Sequence, residues 1–141
     1  MPPSMQSTVA FTLTQSDRRE EPPSNALTRL LDELRLAIQD RGFGTTKIDI
    51  SSLGYGGFGI PLSTGRIGVS LWPDRQSNSS WQIWILYNRS RLQRLFRIPT
   101  PADVSEKLQH IRQTVAEFLV LKEAHQVQWI SVKEAHERLP R

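Results

Sequence analysis

Apolar residues recur along this chain with two different periods, and the switches between them divide it into elements. Leu27, Leu30, Leu31, Leu34 and Ile38 fall at i, i+3, i+4, i+7 and i+11, the stripe of an amphipathic helix. Ser24 or Asn25 can cap its start, Gly42 suits a left-handed residue past its end, and Phe43 is placed to fold back on it. Val104, Leu108, Ile111, Val115, Phe118 and Leu119 form a second stripe, running to about Glu123. Thr100 is its expected cap, with Pro101 at the first helical position and Asp103 near the positive end.

Between these helices the period drops to two, the mark of half-buried strands. Ile48 and Ile50 alternate with polar residues from Thr45 to Ser51; Phe58, Ile60 and Leu62 follow; Arg66 to Trp72 places Ile67, Val69 and Leu71 on one face. Trp81 to Tyr87 is the clearest strand. Trp81, Ile83, Ile85 and Tyr87 share one face, and Gln82, Trp84 and Leu86 the other. Both faces are substantially apolar, which predicts a central strand covered on both sides and makes Trp81 and Trp84 core residues.

Three segments are less regular. Residues 1–24 read as a flexible tail and linker; within it Val9, Phe11 and Leu13 alternate, so a strand there could add to a sheet edge, while Ser16 to Ser24, with Pro22-Pro23, has linker composition. Asn88-Arg89-Ser90 turns the chain, and Leu92 to Ile98 is expected to return as an edge strand, the alternative being a short helix through Leu92, Leu95 and Phe96. Between Ala102 and Leu139 there is neither Gly nor Pro, which would permit one very long helix. A break is preferred, because Val127, Trp129, Ile130 and Val132 favour strands and Ser131-Val132-Lys133-Glu134 is a capping-box pattern that starts a new helix. The predicted fold is a single α+β domain over residues 25–141. It has an antiparallel sheet of about four to five strands, an N-terminal helix, and one long plus one short C-terminal helix. Leu30/Leu34 and Leu108/Ile111/Val115 would cover one face of the sheet.

Composition narrows the class. The 141 residues contain no cysteine, which removes disulfides, thiolate catalysis and Cys-type metal sites and fits a reducing, cytoplasmic setting. No run approaches the roughly 18 apolar residues of a membrane-crossing helix, and residues 1–24 lack the basic start and apolar stretch of a secretory signal. The net charge of +4 is unevenly spread: residues 52–100 hold six Arg against one acid, Asp74, and the flanking thirds are close to neutral. Arg89, Arg91, Arg94 and Arg97 follow the central strand with no acid among them. Arg presents a planar fork that matches carboxylate and phosphate.

No motif points to catalysis. Gly54-Tyr55-Gly56-Gly57-Phe58-Gly59 matches G-x-G-x-x-G after a strand, but extended sequence with Pro61 follows where a dinucleotide site opens a helix. Over about nine residues, with Leu53 and Phe58, the stretch resembles the glycine-rich loop of protein kinases. That resemblance implies a phosphate cradle, yet Pro61 stands where the family has Val, and no V-A-I-K, H-R-D or D-F-G sequence follows. The glycines are better read as a hairpin or bulged turn. His110, His125 and His136 lie 15 and 11 residues apart, without metal-ligand spacing.

Trp129 to Leu139, WISVKEAHERL, looks like the first helix of excisionase and MerR-type winged-helix domains, which would imply DNA binding. His136 departs from the usual alanine, and the sequence stops at Arg141 before a recognition helix, so the expectation is a capped helix packed on the domain. The sequence therefore predicts a non-catalytic, soluble binding module with no cofactor and no metal. Its contact residues would be Arg89, Arg91, Arg94 and Arg97 on a basic edge strand, and its partner an acidic protein. Weakly sequence-specific nucleic-acid binding through the same arginines is the alternative.

Overall fold

A computed structural model describes residues 6–13, 25–77, 79–97 and 100–140, with the backbone alone at Asn25 and Arg91. In chain order the elements are β1 (Gln6–Thr12), α1 (Asn25–Gln39), β2 (Asp49–Ile50), β3 (Gly56–Pro61), β4 (Arg66–Pro73), β5 (Ser80–Asn88), α2 (Arg91–Leu95), α3 (Asp103–Leu121), β6 (His125–Ile130) and α4 (Val132–Glu137). The strands form one antiparallel sheet of six in the order β2-β3-β4-β5-β1-β6. The fold is α+β, as the periodicities predict, with one or two strands more than expected.

The extra strands come from the two ends of the chain. Val9 and Phe11 of β1 pair opposite Ile83 and Trp81 of β5. They are buried because their inward side chains continue the apolar row of the central strand. β6 then pairs with the other side of β1. β1 is therefore an interior strand, not an addition to an edge. The expected linker from Ser16 to Ser24 lies outside the described residues.

One face of the sheet carries the core. Phe58 and Ile60, then Ile67, Val69 and Leu71, then Trp81, Ile83, Ile85 and Tyr87 meet across the strands in register. They are buried against Leu27, Leu30, Leu31, Leu34 and Ile38 of α1 and Val104, Ile111, Val115, Phe118 and Leu119 of α3. Ion pairs from Lys122 to Glu33 (2.9 Å) and from Arg41 to Glu117 join the two helices. Gly42 closes α1 with φ 92°, and Phe43 packs its ring edge-on to His110. The start of α3 differs from expectation. The helix begins at Asp103 without a side-chain cap, because a turn from Pro101 to Val104 (N–H to O, 3.2 Å) comes first.

The C-terminal segment breaks as its capping box predicts. Ser131 Oγ accepts the Glu134 N–H at 3.2 Å and starts α4. That short helix turns onto the second face of the sheet, where Ala135 is buried and its carbonyl accepts from Gln82 Nε2. An ion pair between half-buried Arg138 and fully buried Asp74 latches it. Arg138 Nε donates to Asp74 Oδ2 at 2.9 Å, while Gln82 Nε2 and the Gln76 N–H donate to the same carboxylate. The second face is thus covered over Gln82, while Trp84 and Leu86 stay half-buried. Trp81 is core as expected. Trp84 is instead half-buried, because among the described residues one short helix covers its side of the sheet.

Candidate functional site

The expected edge strand from Leu92 does not form. Ser90 and Gln93 make a reciprocal capping box: the Gln93 N–H donates to Ser90 Oγ (3.1 Å) and the Ser90 N–H donates to Gln93 Oε1 (2.7 Å). This nucleates α2, the helix foreseen as the alternative. Ile98 and Pro99 lie outside the described residues. Gln93 is fully buried, and its Nε2 donates to the Tyr87 hydroxyl at 3.0 Å, tying α2 to the end of β5. A polar residue therefore takes the inward position. Leu92, Leu95 and Phe96, at i, i+3 and i+4, are left 63%, 70% and 67% exposed. A stripe of the kind usually buried in a core faces outward.

The arginines surround this helix. Arg89 follows β5, Arg94 lies on α2, and Arg97 ends the turn in the left-handed region with φ 53°. All three are exposed. Arg89 and Arg94 line one concavity of about 600 Å³ together with Gly65, Tyr87, Asn88 and Ser90, and a third arginine, Arg66, completes it. Arg66 opens β4 and pairs opposite Asn88, which carries it beside the start of α2. Among the described residues, no acidic one lines the concavity. Among the described residues, the side chains of Arg66 and Arg94 make no ion pair or hydrogen bond. Of the four arginines expected to act together, two converge, Arg97 stands outside, and only the backbone of Arg91 is described.

Arg66 had no signal of its own in the sequence. It follows from the register of the β4–β5 hairpin, whose loop encloses the buried Asp74. The helix did have a signal, since Ser90-x-x-Gln93 is a capping-box spacing.

The glycine-rich stretch is a hairpin. Ser51 and Tyr55 pair at its base (2.8 Å), Gly54 turns with φ 93°, and β3 follows. No helix opens after these glycines, so the G-x-G-x-x-G match does not form a dinucleotide-type phosphate site. The stretch instead positions Tyr55 against Trp72, with ring centroids 4.0 Å apart and planes 7° apart. Trp72 also stacks on Trp84 at 4.9 Å, and His136 of α4 meets Trp84 edge-on at 5.0 Å. These rings form a row across the open sheet face. Among the described residues, no three His, Asp or Glu side chains are placed to hold a metal ion. None of the described helices is long and apolar enough to cross a membrane.

No family model matches this chain, and no curated protein or solved structure matches it either.

Proposed function

We propose that the protein is a non-catalytic binding module that holds an acidic segment of a partner protein against Arg66, Arg89 and Arg94. The observation that carries this reading is that three arginines, from β4, the turn after β5 and α2, line one concavity with no acid among its described lining residues. Such an arrangement offers carboxylates charge-assisted, bidentate hydrogen bonds. The outward Leu92, Leu95 and Phe96 add an apolar rim of the kind that marks protein contacts. Arg97, and Arg91 one position before Leu92, extend the basic surface in sequence. The reading includes a cytoplasmic setting, which the cysteine-free chain suits.

Nucleic acid is served less well by the same surface. Single strands are held by stacking bases on free ring faces. Trp72 stacks on both Tyr55 and Trp84, and Trp84 also meets His136 edge-on. The row of rings is stacked on itself.

Two titrations separate the readings. In the proposed case, an acidic peptide binds the full chain, and the Arg66→Ala/Arg89→Ala/Arg94→Ala variant loses at least tenfold in affinity. A single-stranded oligonucleotide that binds more tightly than the peptide, with affinity falling steeply as salt rises, would transfer the site to nucleic acid. A peptide that binds the triple variant as well as the wild type would remove the proposed surface.

A further inference from the structure

Beside the arginine concavity, the open face of the sheet holds a groove of about 470 Å³. Its floor is Gly57, Gly59 and Gly68, and Trp72, Trp84 and Leu86 wall it. Gly59 and Gly68 are directly opposed across the β3–β4 ladder. Glycine weakens a strand interior, and it is found there where a bulge or a close approach requires it. Gly57 has such a local reason: a Cβ there would lie 2.5 Å from the Val69 carbonyl oxygen. Gly59 and Gly68 have none. A Cβ on Gly59 would stand 3.5 Å from the Thr46 side chain, and one on Gly68 would stand 3.4 Å from Asn88 Nδ2, both ordinary contacts. The fold would accept side chains at this pair, and the pair carries none.

The wall of the groove is fixed. Trp72 Nε1 donates to Ser70 Oγ and Trp84 Nε1 to Gln82 Oε1, each at 2.8 Å. Both indole N–H groups are thus satisfied within the fold, and the stacked Trp72 and Trp84 line the groove together with Leu86. The result is an apolar, preorganised slot over a bare floor, the usual character of a small binding pocket.

Charge orients the slot. Arg66 and Asn88 line both the groove and the arginine concavity, so the two depressions share a rim. The Asn88 amide makes no side-chain hydrogen bond among the described residues. Asp49 of β2 also lines the groove and repels a carboxylate there. An anionic group is therefore drawn to the Arg66 side and an uncharged one to the slot.

We infer that the groove is the specificity half of the binding site: it takes a large apolar side chain of the partner segment, adjacent to the carboxylate held by Arg66, Arg89 and Arg94. This rests on the acidic-partner reading above. The partner motif is then an Asp or Glu beside a Trp, Phe or Leu. The side-chain-free Gly59–Gly68 pair, edged at Gly59 by Thr46 and Arg66, leaves the β3–β4 backbone as the floor a partner side chain meets.

Selection of a random peptide library displayed on phage tests it, with the full chain as bait. Wild type is expected to enrich peptides that pair an acid with a large apolar neighbour. The Gly59→Val/Gly68→Val variant raises branched side chains into the slot and is expected to keep the acid preference while losing the apolar one. Gly68→Ala serves the same purpose with a smaller side chain should the double variant unfold. Enrichment of acidic peptides without an apolar neighbour, or an apolar preference that survives filling of the slot, overturns the inference and leaves the acidic-partner reading standing. Enrichment of no acidic peptide at all by wild type overturns that reading itself, and the inference with it.

Discussion

Asp74 and Gly68 show how single residues can be separated into those that hold the fold and those that leave it open. Asp74 is the one acid among residues 52–100, and it is fully buried. Its charge is met by Arg138, Gln82 and the Gln76 N–H. Removing one partner from a buried ion pair leaves an uncompensated charge, so Arg138→Ala is expected to cost about 3 kcal/mol in urea denaturation. A loss under about 0.5 kcal/mol, the level of an ordinary surface substitution, would show that the latch contributes nothing. Gly68 has the opposite sign. A Cβ there would make ordinary contact with the Asn88 amide at 3.4 Å, and its φ is not in the left-handed region. Gly68→Ala should therefore stabilise the protein by about 0.4–1 kcal/mol through the unfolded chain. A destabilised Gly68→Ala protein would mean that the glycine serves packing, and the case for a deliberately bare floor would be lost.

At the scale of elements, α2 is the instructive case. Its side-chain pattern, with Leu92, Leu95 and Phe96 at helical spacing, is that of a buried stripe, and hydrophobicity alone would turn it inward. The capping box and the Gln93–Tyr87 hydrogen bond turn it outward instead. Burial of three apolar side chains would require a facing surface that the end of the sheet does not supply, whereas one amide fits the space beside the Tyr87 hydroxyl. The helix was readable from Ser90-x-x-Gln93. Its orientation was not, because that depends on a residue of β5 reached only through tertiary structure. Leu92→Ala, Leu95→Ala and Phe96→Ala should each change stability by under about 0.5 kcal/mol, as exposed positions do. Gln93→Ala should cost roughly 1–3 kcal/mol, since it removes the capping box and leaves the Tyr87 hydroxyl only its long bond to the Thr64 carbonyl. Thermal and urea unfolding of the four variants checks the contrast. A large loss from the leucines with none from Gln93 would reverse the account of what anchors α2.

At the scale of the whole molecule, the period-2 and helical patterns between Leu27 and Leu119 carried most of the architecture. They did not carry strand order. β1 is short and separated from the helix by a proline-containing stretch, so its sequence resembles a tail. Its place between β5 and β6 comes from pairing over seven residues with a strand 68 to 80 positions away, from Thr12↔Ser80 to Gln6↔Leu86. Deleting residues 1–13 should abolish cooperative unfolding, since it opens the sheet between two of its strands. A truncated chain with an unchanged melting transition would contradict that placement. The candidate site is likewise a product of topology. Arg89 and Arg94 were visible as part of a charge cluster, but Arg66 joins them only through hairpin register, and the Gly59–Gly68 floor only through the β3–β4 ladder. The central claim is that three arginines from three elements hold a carboxylate. Arginine Nε–H resonances report it most directly, in a titration of the full chain with a short acidic peptide bearing one phenylalanine. The account predicts saturable shifts at Arg66, Arg89 and Arg94, absent with the uncharged Asn/Gln version of the peptide. Shifts confined to other arginines, or none at low salt, would contradict it.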